Sequence, residues 1–127
     1  MGRYEDALRF FDASLARYAK DPSPQNAGVA RLLARRATTL RHLARLAEAE
    51  ETARRSLDLC LAHLGKGHAY TARARLALGA ILLDEDRRSE AESELREAQA
   101  IFEKTFGADS WEAVAARGEI ARVDQKR

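Results

Sequence analysis

Apolar residues recur along this chain at intervals of three and four, and the rhythm is interrupted at a few short points. Tyr4, Ala7, Leu8, Phe11, Leu15 and Tyr18 fall on one stripe, which predicts an amphipathic helix over residues 4–20. Asp21-Pro22-Ser23-Pro24 breaks it, because each proline disfavours helix at itself and at the residue before. A second helix is predicted from about Asn26 to Arg45, with Val29, Leu33, Ala37, Leu40 and Ala44 on one face. A third covers 47–64 and stops at Gly65-Lys66-Gly67, glycine being the usual residue after a last helical turn. A fourth covers 69–83, and Asp84-Glu85-Asp86-Arg87 makes the next turn. The fifth, over 89–106, opens with Ser89 and Glu92 in the spacing of a capping box and ends at Gly107. The sixth opens at Ser110, covers 110–123 and leads into the polar tail Asp124-Gln125-Lys126-Arg127. The pattern predicts an all-α chain of about six antiparallel helices forming one domain over 1–127.

The stretch from His68 to Asp109 is one unit, helix, turn, longer helix and glycine stop, and its features recur at a spacing of forty-two residues. Ala7, Ala49 and Ala91 share that period, as do Ser14, Ser56 and Ala98, and Ala37, Gly79 and Ala121. Small residues at fixed helical positions let backbones approach closely, so these nine are the expected repeat-packing positions. Bulkier columns match too: Leu40 with Leu82, Tyr18 with Cys60 and Phe102, Leu64 with Phe106.

Leu78-Gly79, Glu90-Ala91-Glu92 and Glu103-Lys104-Thr105-Phe106-Gly107-Ala108-Asp109 resemble the tetratricopeptide repeat, in the forty-two-residue form typical of kinesin light chains and many bacterial proteins. Gly2-Arg3-Tyr4-Glu5-Asp6-Ala7 resembles the turn between the two helices of such a repeat. The resemblance covers nearly the whole chain. It implies a right-handed α-α superhelix that starts and ends mid-repeat, because helix one aligns with helices three and five and helix six with helices two and four. Either the array continues in a longer chain or the two open ends pair between copies. Two departures stand out. The paired asparagines of kinesin light chains are Leu76-Ala77 and Ala34-Arg35 here, and Asp86 takes the place of the usual turn glycine. Arg36 sits where Leu78 stands one repeat on, and is expected to snorkel its charge out of the stack.

In this family the first helices of successive repeats line a concave groove. Carried onto this chain, the groove residues are Arg31, Arg35, Thr38, Arg41 and His42, then Arg73, Leu76, Ala80 and Leu83, then Arg122. Helical geometry independently puts 31, 35, 38 and 42 on one face, away from Leu33, Ala37 and Leu40. Charge sharpens this picture. The total is near balance at +2, which argues against a polyanion binder by bulk charge, yet 26–46 holds five arginines and no acid. Arginines suit carboxylates, which they engage bidentately, so the partner class is a protein or peptide with acidic groups. A solvated face salt-bridged to Glu48, Glu50 and Glu51 is the other reading of the same arginines. A nucleic-acid partner is disfavoured, since that face lacks stacking aromatics. A homo-oligomer through the terminal helices is the alternative role.

Other chemistry is thin. His42, His63 and His68 have no second ligand at i+4, so no metal site is expected, and His68 is read as a structural turn residue. Cys60 shares a column with Tyr18 and Phe102 and reads as core; a lone cysteine favours a reducing compartment, hence the cytoplasm. Trp111 is expected against the preceding helix end. No phosphate loop, serine–histidine pair or carboxylate dyad is present, so neither enzyme nor cofactor is predicted. Arg3, Glu5 and Asp6 interrupt any leader-like run, and nothing approaches the roughly 20 apolar residues of a membrane span.

Overall fold

Six stretches of three-and-four spacing become six helices in the computed structural model, which describes residues 2–20 and 27–125. They are α1 (Arg3–Lys20), α2 (Ala27–His42), α3 (Leu46–His63), α4 (Ala69–Asp84), α5 (Arg88–Phe106) and α6 (Trp111–Val123), with no strand among the described residues. The proline break and residues 126–127 of the tail lie outside the described residues.

The helix ends show what periodicity cannot. α2 stops at His42, short of the expected Arg45, because Ala44 takes a left-handed φ of 60°. The Arg45 amide then donates to the Leu40 carbonyl at 2.9 Å and closes the helix. The same closure recurs one repeat on, with Asp86 at φ 63° and the Arg87 amide 2.8 Å from the Leu82 carbonyl. Ala44 and Asp86 are therefore the same turn position one repeat apart, and in the sequence Gly2 occupies the same column one repeat earlier. The predicted capping box at Ser89 does not form. Arg87, already committed to closing α4, is the residue before α5, and Ser89 lies inside the helix. Real side-chain caps stand at α4, where His68 Nδ1 accepts from the Tyr70 amide at 3.0 Å, and at α6, where Ser110 Oγ accepts from the Ala113 amide at 3.2 Å.

The helices form an all-α solenoid in two layers. α2, α4 and α6 make an inner layer in which each packs on the next, while α1, α3 and α5 stand outside, where α3 and α5 meet only through long side chains such as the Arg54–Glu90 pair at 3.8 Å among the described residues. Each outer helix packs on its neighbours through the small-residue columns: Ala49, Ala91, Ser56, Ala98, Ala37 and Gly79 are all buried. Ser56 shows why smallness matters, because its Oγ comes close enough to donate 2.7 Å to the Ala30 carbonyl of α2. Around the columns pack Leu33, Leu40, Leu78, Ile81, Leu95 and Phe102, all at or near zero exposure. Cys60 is buried in that core, and burial pushes its thiol above the ordinary value, so it stays protonated.

At the outer repeats the columns open. Ala121 was expected in close packing but is exposed, since no described helix follows α6 to cover it. Ala7 is half-buried for the matching reason at α1. Arg36 also departs from expectation. Rather than reaching out to water, its Nε donates to Asp12 at 2.6 Å and an NH1 to Thr52 Oγ1 at 2.7 Å, so its charge ties α2 to α1 and α3.

Candidate binding groove

The inner face of the solenoid encloses a cavity of about 1080 Å³. α2 contributes Arg31, Arg35, Thr38, Arg41 and His42, and α4 contributes Arg73, Leu76 and Ala80. Two of the residues expected here are elsewhere. Leu83 is buried in the core cluster that includes Val123, because the end of α6 covers the last turn of α4. Arg122 is not among the lining residues; it is held by Asp84 at 2.9 Å and Glu119 at 2.6 Å.

Residues outside the expected set complete the walls. Tyr4 and Phe11 close the groove on the α1 side, Tyr70 stands at the start of α4, and Trp111 and Glu112 stand at the start of α6. Residues 4 and 11 read in the sequence as one more core stripe, and only the packing of α1 beside α2 turns them inward. Tyr4 stacks on His42 with ring centres 4.8 Å apart and planes 14° from parallel. Trp111, expected against the preceding helix end, faces Arg73 across the groove instead. It is 66% exposed, with the Arg73 guanidinium 5.5 Å from its ring centre.

The groove arginines divide by what holds them. Arg41 pairs with Asp84 at 2.7 Å, and Arg73 with the buried Glu112 at 3.1 Å. Burial raises the Asp84 carboxyl, but hydrogen bonds from Arg41 and Arg122 more than reverse this and hold it below the usual carboxylate value. Arg31 and Arg35 are held instead by ring faces, Arg31 5.1 Å from the centre of Tyr70 and Arg35 5.3 Å from that of Phe11. Among the described residues no carboxylate pairs with either of them. Glu48 pairs with Arg45, and Glu50 with Arg54 and Arg87, so these acids do not neutralise the groove. The resulting groove is cationic at its α1–α2 end and charge-balanced where α4 meets α6. Its floor of Ala34, Leu76, Ala77 and Ala80 is apolar.

A family model described as tetratricopeptide repeat matches the chain twice, over residues 1–62 and over residues 29–104. No curated protein matches it.

Proposed function

This chain belongs to the tetratricopeptide repeat family, whose members generally mediate protein–protein interaction, and we propose that it is a non-catalytic scaffold that takes an acidic peptide segment in its concave groove. The observation that carries this is the pair Arg31 and Arg35. A ring face positions a guanidinium without cancelling its charge, so both remain available to a carboxylate. The kinesin-light-chain form is part of the same proposal for the repeat but not for the grip. At 34, 35, 76 and 77, where that form carries paired asparagines, this groove has Ala34, Arg35, Leu76 and Ala77. An apolar floor cannot hold a peptide backbone by amide hydrogen bonds, so recognition here falls to side-chain charge and aromatic surface. No described helix is long and apolar enough to cross a membrane.

The test is fluorescence anisotropy with a labelled hexaglutamate peptide, with hexalysine as control. The wild-type chain is expected to bind the first and not the second. Arg31→Glu with Arg35→Glu should abolish binding with unchanged far-ultraviolet circular dichroism, and binding that survives in this variant removes the groove reading.

A second reading, self-association, is favoured by Phe10 and Val114. They are 59% and 51% exposed, while their counterparts one repeat on and one repeat back, Thr52 and Ala72, are buried between helices. The occupant proposed is a second copy, its α6 face against α1. A light-scattering mass that stays monomeric to high concentration ends that reading.

A further inference from the structure

Most described arginines meet a carboxylate within 4 Å, Arg36, Arg41, Arg73 and Arg87 among them. Arg3, Arg17, Arg31, Arg35 and Arg55 pair with none among the described residues. Their distribution is uneven. Arg17, Arg31 and Arg35 all line a second cavity, of about 540 Å³, between the later half of α1 and the first turns of α2. Its described lining carries no acid. Ser14 and Tyr18 add hydroxyls, and Gly28 leaves the α2 wall without a side chain. Ser14 is buried, yet among the described residues it makes no bond like that of its counterpart Ser56, whose Oγ is spent on the Ala30 carbonyl.

We propose that this cavity is a binding site for a phosphate monoester, held by Arg17, Arg31 and Arg35. Three guanidiniums with no counterion among the described residues leave an excess that one carboxylate cannot balance. A phosphate monoester brings a charge of about −1.5 to −2 and three acceptor oxygens, and arginine's fork matches phosphate oxygens bidentately. Phe11 and Tyr70 fix Arg35 and Arg31 from behind without neutralising them, so part of the ordering cost is already met before the ligand arrives. The cavity has room for more than the phosphate group, so the group can be carried on a peptide side chain or on a small molecule. This goes beyond the groove reading: Arg31 and Arg35 border both cavities, whereas Arg17 belongs to this one alone.

The experiment uses the full chain and a fluorescent pentapeptide of alanines around a central phosphoserine, its glutamate twin, inorganic phosphate as competitor, and a short single-stranded RNA. At physiological ionic strength the phosphopeptide should bind roughly tenfold tighter than the glutamate peptide, the equivalent of one charge-assisted bond. Arg17→Gln should erase that preference, and Arg55→Gln, on α3 and outside both cavities, should leave it intact. Inorganic phosphate competing as well as the peptide assigns the site to a free phosphate monoester, and a clear peptide advantage assigns it to a phosphorylated side chain. Equal affinity for phosphoserine and glutamate overturns the proposal. So does an Arg17→Gln effect no larger than that of Arg55→Gln, or RNA binding tighter than either peptide. Hexaglutamate binding that survives Arg17→Gln keeps the two readings apart, since loss of phosphate preference alone leaves the groove untouched.

Discussion

Gly79 lies so close to Leu95 that a Cβ on the glycine would stand 2.6 Å from both Cγ and Cδ2 of the leucine. One repeat earlier the same two positions are Ala37 and Ala53, both fully buried. The array thus keeps one small partner at this α4–α5 crossing and moves the bulk to the other side.

A methyl group at 79 must displace a leucine that is itself fully buried, so Gly79→Ala is expected to destabilise the chain. Overpacking costs about 1–3 kcal/mol, and alanine's better helix propensity returns about 1 kcal/mol, leaving a net loss of about 1 kcal/mol. Leu95→Ala alone should cost about 2–5 kcal/mol through its cavity. Combined, the two should cost less than their sum, because the new methyl then enters space that Leu95 has left. Urea unfolding of the four species measures this. A stabilising Gly79→Ala would show that Leu95 yields freely.

The left-handed turn position shared by Ala44 and Asp86 makes a prediction of opposite sign. An L-residue in the left-handed region costs about 1–2 kcal/mol, and glycine removes that strain while adding about 0.5–1 kcal/mol of unfolded-chain entropy. Ala44→Gly should therefore stabilise by about 0.5–1 kcal/mol. Asp86→Gly should gain less, since aspartate tolerates this region better and Asp86 also meets Arg88 at 3.1 Å. Paired thermal melts decide it, and a lower midpoint for Ala44→Gly would contradict the φ of 60°.

How much of this was legible in the sequence depends on what each feature needs. The six helices and the small-residue columns follow from local spacing, and they appear within a few residues of where periodicity puts them. What misled was context. Ser89 has the residue type of a cap, but the backbone that closes α4 at Arg87 leaves no cap site for it. Leu83 shares a helical face with Leu76, yet one is covered by α6 and the other opens on the groove. Arg17 carries no sequence signal at all. It reads as one more polar position on α1, and its company of Arg31 and Arg35 comes from the antiparallel packing of α1 on α2.

Two adjacent acids should give the chain opposing pH responses. Asp84 has its folded value lowered, so its contribution is present above the ordinary carboxylate value of about 4 and is lost as pH falls through the lowered one. Glu85 is the reverse: burial first, then the facing Glu50 carboxylate, raise its value despite Arg87. The folded chain holds that proton more tightly than the unfolded chain, so stability falls as pH rises from the ordinary value through the raised one. Asp84→Asn should lower the melting temperature at pH 7, with the deficit shrinking as pH drops below about 4. Glu85→Gln should raise it at pH 7, where glutamine relieves the repulsion with Glu50, and should match wild type in acid. Parallel pH profiles for the two variants would refute the opposite shifts.

Trp111 offers a direct readout of the groove, because it is the one tryptophan in the chain and lies on the rim with Arg73 over its ring. Its exposure of 66% means that little core depends on it, so Trp111→Ala should lower stability by no more than about 1 kcal/mol, the worth of its contact with Arg73. Its ring nevertheless steadies Arg73, and an exposed cation–ring contact is worth about 0.5–1 kcal/mol, which corresponds to a loss of roughly two- to fivefold in hexaglutamate affinity. In the intact chain, tryptophan emission should change as the peptide saturates the groove and at the same midpoint as the anisotropy. Arg31→Glu with Arg35→Glu should abolish that emission change together with binding. An anisotropy transition with no change in emission would confine the bound peptide to the α1–α2 end and remove α6 from the site.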